Sequence, residues 1–336
     1  MPLELELKSG RARGAEPAAQ VPRGVLIGLV NNMPDSALES TEAQFTRLLE
    51  AASGPLEVRL RFFYLPEIAR APAARARLTA RYWETRELAH HSPDALIVTG
   101  MEPGGGPLES EPYWRGFVEL LEWAEAHTPS SIWSCLAAHA AVRHLSGISR
   151  RRLAEKRCGV FRHQILESHV LMQGVSEPLS LPHSRWNDLP VDALRAAGYT
   201  VLSWSEPTGA DIFARRGESL LVCFQGHPEY ESMTLMKEYR RDVGRFLRGE
   251  QPAYPTLPGG YFSPAALAAL ESFAARAMAG RDAALLQEFP SGAAAADLTD
   301  LWHADAVRIY RNWLALVAAA RRAQPVPDTP RRSATA

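Results

Sequence analysis

Residues 131–142, SIWSCLAAHAAV, set Cys135 between a short apolar run and a segment of small residues. The run reads as a buried strand and the segment as a helix. A cysteine at such a junction stands at a helix N-terminus, whose dipole favours the thiolate. The small residues after it permit the tight strand-to-helix turn that presents a nucleophile. The next backbone N–H, at Leu136, is then placed to hold an oxyanion. The same pattern also suits a buried core cysteine, because free cysteine is among the most buried residue types. Cys158 and Cys223 read as core residues of that kind, Cys223 lying inside an apolar strand pattern.

Working outward, further apolar runs at 25–30, 58–64, 95–99, 169–172, 200–204 and 220–224 read as strands. Helical spacing of apolar residues appears at 40–52, 113–126, 137–145 and 233–247. Strands alternating with helices predict an α/β fold with a mostly parallel sheet covered on both faces. Active sites in such sheets lie beyond the carboxyl ends of the strands. That directs attention to the residues after 95–99, 131–134 and 220–224. Residues 1–23 read as a flexible tail, 24–250 as the α/β catalytic domain, and 324–336 as a second tail. Pro252, Pro255, Pro258 and Gly259-Gly260 open residues 251–323, a helical extension expected to pack on the core or at a dimer interface.

Composition narrows the function classes. The chain has 336 residues, 46% hydrophobic and 22% charged, as soluble globular proteins do. Its 37 basic and 38 acidic residues cancel, which removes the bulk electrostatic case for nucleic acid or an anionic membrane. The Arg-rich run Ser149–Arg152 reads as a solvated loop. No apolar run approaches a membrane span, and the N-terminus lacks a signal-peptide pattern, so a cytoplasmic protein is expected. Three sparse cysteines offer neither a disulfide framework nor metal-ligand spacing. Lysines number three against 34 arginines, so the interior Lys156 stands out.

After the strand at 220–224 comes FQGHPEY, residues 224–230, with His227 and Glu229 two apart. A thiol needs a base, and the base needs an orienting partner. One loop offers both, with Pro228 fixing the backbone between them. Taken alone, a lone histidine is more often a surface or core residue; the strand-end position raises this one above the other nine.

The order cysteine elbow, then His-Pro-Glu, resembles class I glutamine amidotransferases, although their elbow is usually G-x-C-x-G and here it is W-S-C-L-A. The segments ALIVTGMEPGGGPLESEPYW, LEWAEAHTPSSIWSC, EKRCGVF, LPHSRWNDLP, FQGHPEYE and YRRDV resemble, in order and spacing, the homoserine O-acyltransferase (homoserine transsuccinylase) family over roughly residues 25–249. The resemblance implies a class I amidotransferase-like fold and an acyl-CoA-dependent O-acyltransferase acting on homoserine in methionine synthesis. It implies Cys135 as the acyl-accepting nucleophile, His227 as the base and Glu229 as its orienting carboxylate. Lys156, Ser184 and Arg241 match substrate-binding positions, and a guanidinium such as Arg241 suits a carboxylate. Backbone N–H groups of Leu136 and of Met101, in the Gly100-Met101 turn, would form the oxyanion hole.

The family further implies that no cofactor stays bound, that acyl-CoA is a co-substrate, and that the chain forms a homodimer. Neither metal nor redox group is required. Gly104 matches the position at which glycine accompanies succinyl-CoA and glutamate accompanies acetyl-CoA. Glycine leaves room where a glutamate would crowd and repel a succinyl carboxylate, so succinyl-CoA is favoured over acetyl-CoA. Glu102 lies close by and could exclude succinate if turned inward. Two departures are visible. NNMPDSALESTEAQF carries Asp35 and Ser36 where the family has two lysines, so an expected positive charge is missing. His139 replaces a glutamine one turn after the nucleophile. Serine or another small hydroxy amino acid is the alternative acceptor. An amidotransferase-like hydrolase and a degenerate binding protein are the alternative classes.

Overall fold

The structure, a computed structural model, describes residues 3–8, 24–101 and 106–323. Its strands are β1 (Leu3–Glu6), β2 (Val25–Val30), β3 (Val58–Tyr64), β4 (Trp83–Glu84), β5 (Ala95–Val98), β6 (Ser130–Ser134), β7 (Arg151–Ile165), β8 (Leu179–Asp188), β9 (Thr200–Val201), β10 (Ser203–Ser205), β11 (Gly209–Ala210), β12 (Ile212–Arg216) and β13 (Leu220–Phe224). Its helices are α1 (Leu38–Ser53), α2 (Pro72–Arg81), α3 (Leu88–His91), α4 (Trp114–His127), α5 (Leu136–Ser146), α6 (Val191–Ala196), α7 (Thr234–Leu247), α8 (Pro264–Ala279), α9 (Ser291–Ala295) and α10 (His303–Ala323).

Among the described residues the main sheet runs β1-β3-β2-β5-β6-β13-β12-β9, with β4 beside β3. Every pair from β1 to β13 is parallel; β12 and β9 add antiparallel strands at one edge. Strands β2, β5, β6 and β13 are buried along their whole length. That is the condition of strands covered on both faces, and it explains why they read as continuous apolar runs. Alternation still sorts their side chains. Ile132, Val222 and Phe224 join a core with α1 and α10, whereas Trp133, Leu221 and Cys223 join a core with α4 and α5. A third core unites α7 and α8 with Phe262 and Phe289. The fold is thus α/β with a mostly parallel main sheet, as the alternating pattern predicts.

Three local expectations are corrected. Residues 169–172 are not a strand: Val170–Met172 form a short 3-10 turn that buries Leu171 and Met172. Residues 3–6, inside the expected tail, form β1 against β3 in parallel register. The largest omission is a second, antiparallel sheet, β11-β10-β7-β8. Its long pair β7/β8 was illegible because β7 begins RRLAEK, a charged stretch without alternation, and slips register between Arg152 and Arg157.

Helix α10 returns to the main sheet. Trp313 donates its indole N–H to Ser130 Oγ at 2.9 Å, and Trp302, just before the helix, donates to the Tyr230 carbonyl at 2.8 Å. Both rings are fully buried. No helix among the described residues is long and apolar enough to cross a membrane.

Candidate active site

β6 ends at Ser134 and α5 begins at Leu136, so Cys135 alone turns the chain. It does so at φ 51° and ψ −114°. That is a strained conformation for a residue with a β-carbon, of the kind concentrated at functional sites. The small helix residues Ala137, Ala138, Ala140 and Ala141 are fully buried, which lets α5 start close against the sheet. Cys135 N–H donates to the Phe224 carbonyl at 2.7 Å. This bond extends the parallel register of β6 with β13, in which Ser134 faces Phe224. Two segments about ninety residues apart in sequence are thereby joined at their carboxyl ends.

Three residues beyond Phe224 stands His227. Its Nδ1 lies 2.9 Å from Glu229 Oε1, and Cys135 is close enough to interact electrostatically with its ring. All but a few per cent of His227 and Glu229 is buried. Burial pushes the imidazole pKa down, but the Glu229 carboxylate and Cys135 outweigh it and hold it well above the ordinary value. Tyr230 stacks on the imidazole, ring centroids 4.3 Å apart. The loop is tied from behind. His227 N–H donates to the Pro182 carbonyl at 2.8 Å, and Gly226 N–H donates to Asp211 Oδ1 at 2.7 Å. A β-carbon at Gly226 would lie 2.8 Å from that same oxygen and 3.0 Å from His183 Nε2, so a side chain there forces these neighbours or the loop to shift.

Cys135, His227, Gly100, Met101 and Leu136 open onto a cavity of about 740 Å³. Lys156, Ser184 and Arg241 line the same cavity. Lys156 Nζ bonds Asp242 Oδ2 at 2.7 Å, and Arg241 Nη2 bonds Asp242 Oδ1 at 3.1 Å. Ser184 Oγ donates to Glu238 Oε2, and Tyr230 Oη donates to Glu238 Oε1 at 2.8 Å. Burial pushes Asp242 up, but Lys156 and Arg241 outweigh it and leave its carboxyl below the usual range. The sequence reading missed Glu238, Asp242 and Tyr230. A signal exists for the first two. Glu238, Arg241, Asp242 and Arg245 recur at i, i+3, i+4 and i+7 on α7, one stripe beside the buried Leu235, Tyr239, Val243 and Phe246. Such a stripe ordinarily reads as a solvated face; here it faces the cavity. Residues 251–256, which read as linker, line it as well.

The remaining expectations fall as follows. A side chain at Gly100 would approach the Leu136 nitrogen to 3.2 Å, so the end of β5 abuts the elbow. The Leu136 N–H, in the first helical turn, has no intrahelical acceptor. Gly104 and Glu102 lie outside the described residues. The positive charge expected at Asp35 and Ser36 is absent, and Asp35 is instead paired with a cation from elsewhere in the chain. Arg70, its side chain 3% exposed, reaches Asp35 Oδ1 at 3.1 Å and the Met33 carbonyl at 2.5 Å, behind the cavity wall of Met33 and Pro34. His139 bonds Gln225 Oε1 at 2.8 Å, and burial lowers its pKa to about 3, so it is a neutral core residue. Burial raises the Cys158 thiol to about 11 and the Cys223 thiol further, which disfavours thiolate chemistry at either.

One buried group resembles a metal-ligand set: His163, His183 and Asp211. His183 Nε2 lies 3.2 Å from His163 Nε2 and 3.5 Å from Asp211 Oδ1. Arg185 Nε, however, donates to His183 Nδ1 at 3.2 Å. The neutral ring must then carry its proton on Nε2, the atom a metal would need. The group is a hydrogen-bonded chain supporting the Gly226 loop.

Comparisons with known proteins identify the family and the fold. The family model described as homoserine O-succinyltransferase matches residues 11–323. A curated homoserine O-succinyltransferase of Rhodopseudomonas palustris is 49% identical over 292 residues, 87% of this chain and 88% of that protein. One from Methylorubrum extorquens is 46% identical and covers 93% of each. Among solved structures, a glutamine amidotransferase from Thermotoga maritima superposes with a TM-score of 0.50 at 11% identity, over 88% of this chain and 99% of that one. That likeness is one of fold: the sheet and helices are of the class I glutamine amidotransferase type. The chain belongs to the homoserine O-succinyltransferase family.

Proposed function

We propose that the chain transfers a succinyl group from succinyl-CoA to the hydroxyl of L-homoserine in two half-reactions through a thioester on Cys135, in the service of methionine synthesis. As a member of its family it is an acyltransferase that makes O-succinylhomoserine. The observation that carries the mechanism is the relay Cys135–His227–Glu229 opening on a cavity whose far wall holds paired acids and bases. His227 takes the Cys135 proton, and the sulfur attacks the thioester carbonyl. Leu136 and Met101 N–H groups support the oxyanion. CoA leaves as a thiol, taking the proton back from His227. Homoserine then enters. Arg241 offers a guanidinium to its carboxylate, and Glu238, already an acceptor for Ser184 and Tyr230, offers a carboxylate to its ammonium. Lys156 is held by Asp242 beside them. His227 removes the hydroxyl proton, the oxygen attacks the acyl carbon, and the proton passes to the departing Cys135 sulfur. No proton or electron is left over.

The succinyl preference rests on the identity of residue 104, a glycine, at the position where the family resemblance associates glycine with a succinyl donor. The test is intact-protein mass after brief exposure to succinyl-CoA or acetyl-CoA without acceptor, on the native chain and on Cys135→Ala. A succinyl adduct, absent from the variant and discharged by homoserine faster than by serine, is expected. No adduct with either donor would overturn the thioester mechanism, and glutamine hydrolysis would then be assayed in its place.

A further inference from the structure

Arg152 and Trp186 line the same cavity as Cys135, yet the chemistry above uses neither. They come from neighbouring strands: Arg152 of β7 pairs with Asn187 of β8, next to Trp186. Between Arg152 and Arg157 the register slips, and the bulge carries Ala154, Glu155 and Lys156 to the cavity wall. Bulges beside active sites commonly re-aim side chains in this way. On β8, His183 and Arg185 are buried on one face, while Ser184 and Trp186 line the cavity from the other. Alternate residues of a strand stand about 7 Å apart. The cavity therefore runs from the Ser184–Glu238 contact outward to Trp186, which is 42% exposed.

The charges sort along the same line. Four cationic side chains line the cavity: Arg152, Lys156, Arg241 and Arg245. Three of them contact Asp242. Arg152 makes no ion pair among the described residues; its guanidinium carbon sits 4.4 Å from the Trp186 ring centroid. A guanidinium stacked on an aromatic face keeps its in-plane N–H donors for an anion. Trp186 is also the one aromatic among the exposed large apolar side chains of the described residues. An indole left half in water at a cavity mouth has no core to serve.

We propose that Arg152 and Trp186 form the docking subsite for the phosphorylated adenosine end of the acyl-CoA donor, a phosphate on the guanidinium and the adenine on the indole. The inference rests on acyl-CoA being the donor. Base–aromatic stacking and Arg–phosphate pairing supply the affinity. The nucleotide thereby anchors a donor whose reacting thioester is far from most of its charge.

The experiment compares succinyl-CoA with the succinyl thioester of N-acetylcysteamine, which carries the same acyl thioester without the nucleotide. With Trp186→Ala and with Arg152→Ala, kcat/KM for succinyl-CoA is expected to fall about ten-fold through KM. The same quantity for the truncated donor stays within about two-fold of the native value. Adenosine 3′,5′-bisphosphate competes with succinyl-CoA on the native chain, and its inhibition constant rises about ten-fold in the variants. Equal losses on both donors would put the pair at the thioester end or in the scaffold and overturn the subsite, as would no loss on either. If the native chain accepted acyl groups from neither donor, the acyl-CoA reading itself would fail, a result seen before any variant is made.

Discussion

Replacing Glu229 by glutamine isolates the charge behind His227, the proposed catalytic base. The amide keeps an oxygen that can accept from His227 Nδ1, so the 2.9 Å contact survives in outline while its negative charge goes. At that distance and an effective dielectric constant of about 20, the carboxylate–imidazolium attraction is about 6 kcal/mol. The retained neutral hydrogen bond returns part of it, and breaking buried pairs typically costs about 3–5 kcal/mol. In the proposed mechanism both half-reactions pass through an imidazolium at His227, so the loss falls on the transition state. It amounts to a drop of between about 10²- and 10⁴-fold in kcat/KM. The sign of the pKa change follows from the causes. Burial pushes His227 down, and Glu229 is the foremost group opposing it. Without that carboxylate the folded-state pKa falls, and the ring stays neutral to lower pH. The assay is steady-state succinyl transfer to homoserine from pH 5 to 9, with thermal melting to verify the fold. A loss below about ten-fold with the native pH profile would refute the reasoning that Glu229 stabilises the protonated base.

Two further outcomes follow from the same contacts. Asp242 has a folded pKa below its ordinary 3.8, so its stabilising contribution is complete above that value and disappears as pH falls through the folded pKa. Urea unfolding of Asp242→Asn should show a loss of about 3–5 kcal/mol at pH 7, because Lys156 and Arg241 lose their partner; a variant as stable as the native chain there, with the same decline below about pH 4, contradicts the pairing. Gly226→Ala drives a methyl into Asp211 and His183, costing about 1–3 kcal/mol and shifting the loop that bears His227. The melting temperature should drop with kcat, and native activity in a fully folded variant would show that the loop has slack.

Much of the site was legible because its parts are local. Cys135 follows an apolar run and precedes small residues, and His227 and Glu229 share one loop, so each fragment carries its own signal. Glu238 carried only the charged stripe of α7, which by itself reads as a solvated face. Its role depends on Ser184 and Tyr230, which come from β8 and the β13–α7 loop. The β7/β8 pair was hidden for a related reason: strand patterns reveal which face is buried, and RRLAEK buries no regular face.

The sequence by itself determined an alternating α/β chain and its family, and it marked Cys135 and His227 as the candidate nucleophile and base. Periodicity and motif spacing are properties of neighbouring residues, and they survive reading in one dimension. Only the tertiary structure decided that Cys135 meets His227, because that needs β6 beside β13 in one register. Only it decided that Arg70 stands near Asp35, that the α7 stripe faces a cavity and that Trp186 borders it. Those relations link residues far apart in the chain, and they exist once burial of the two sheet faces fixes which strands are neighbours.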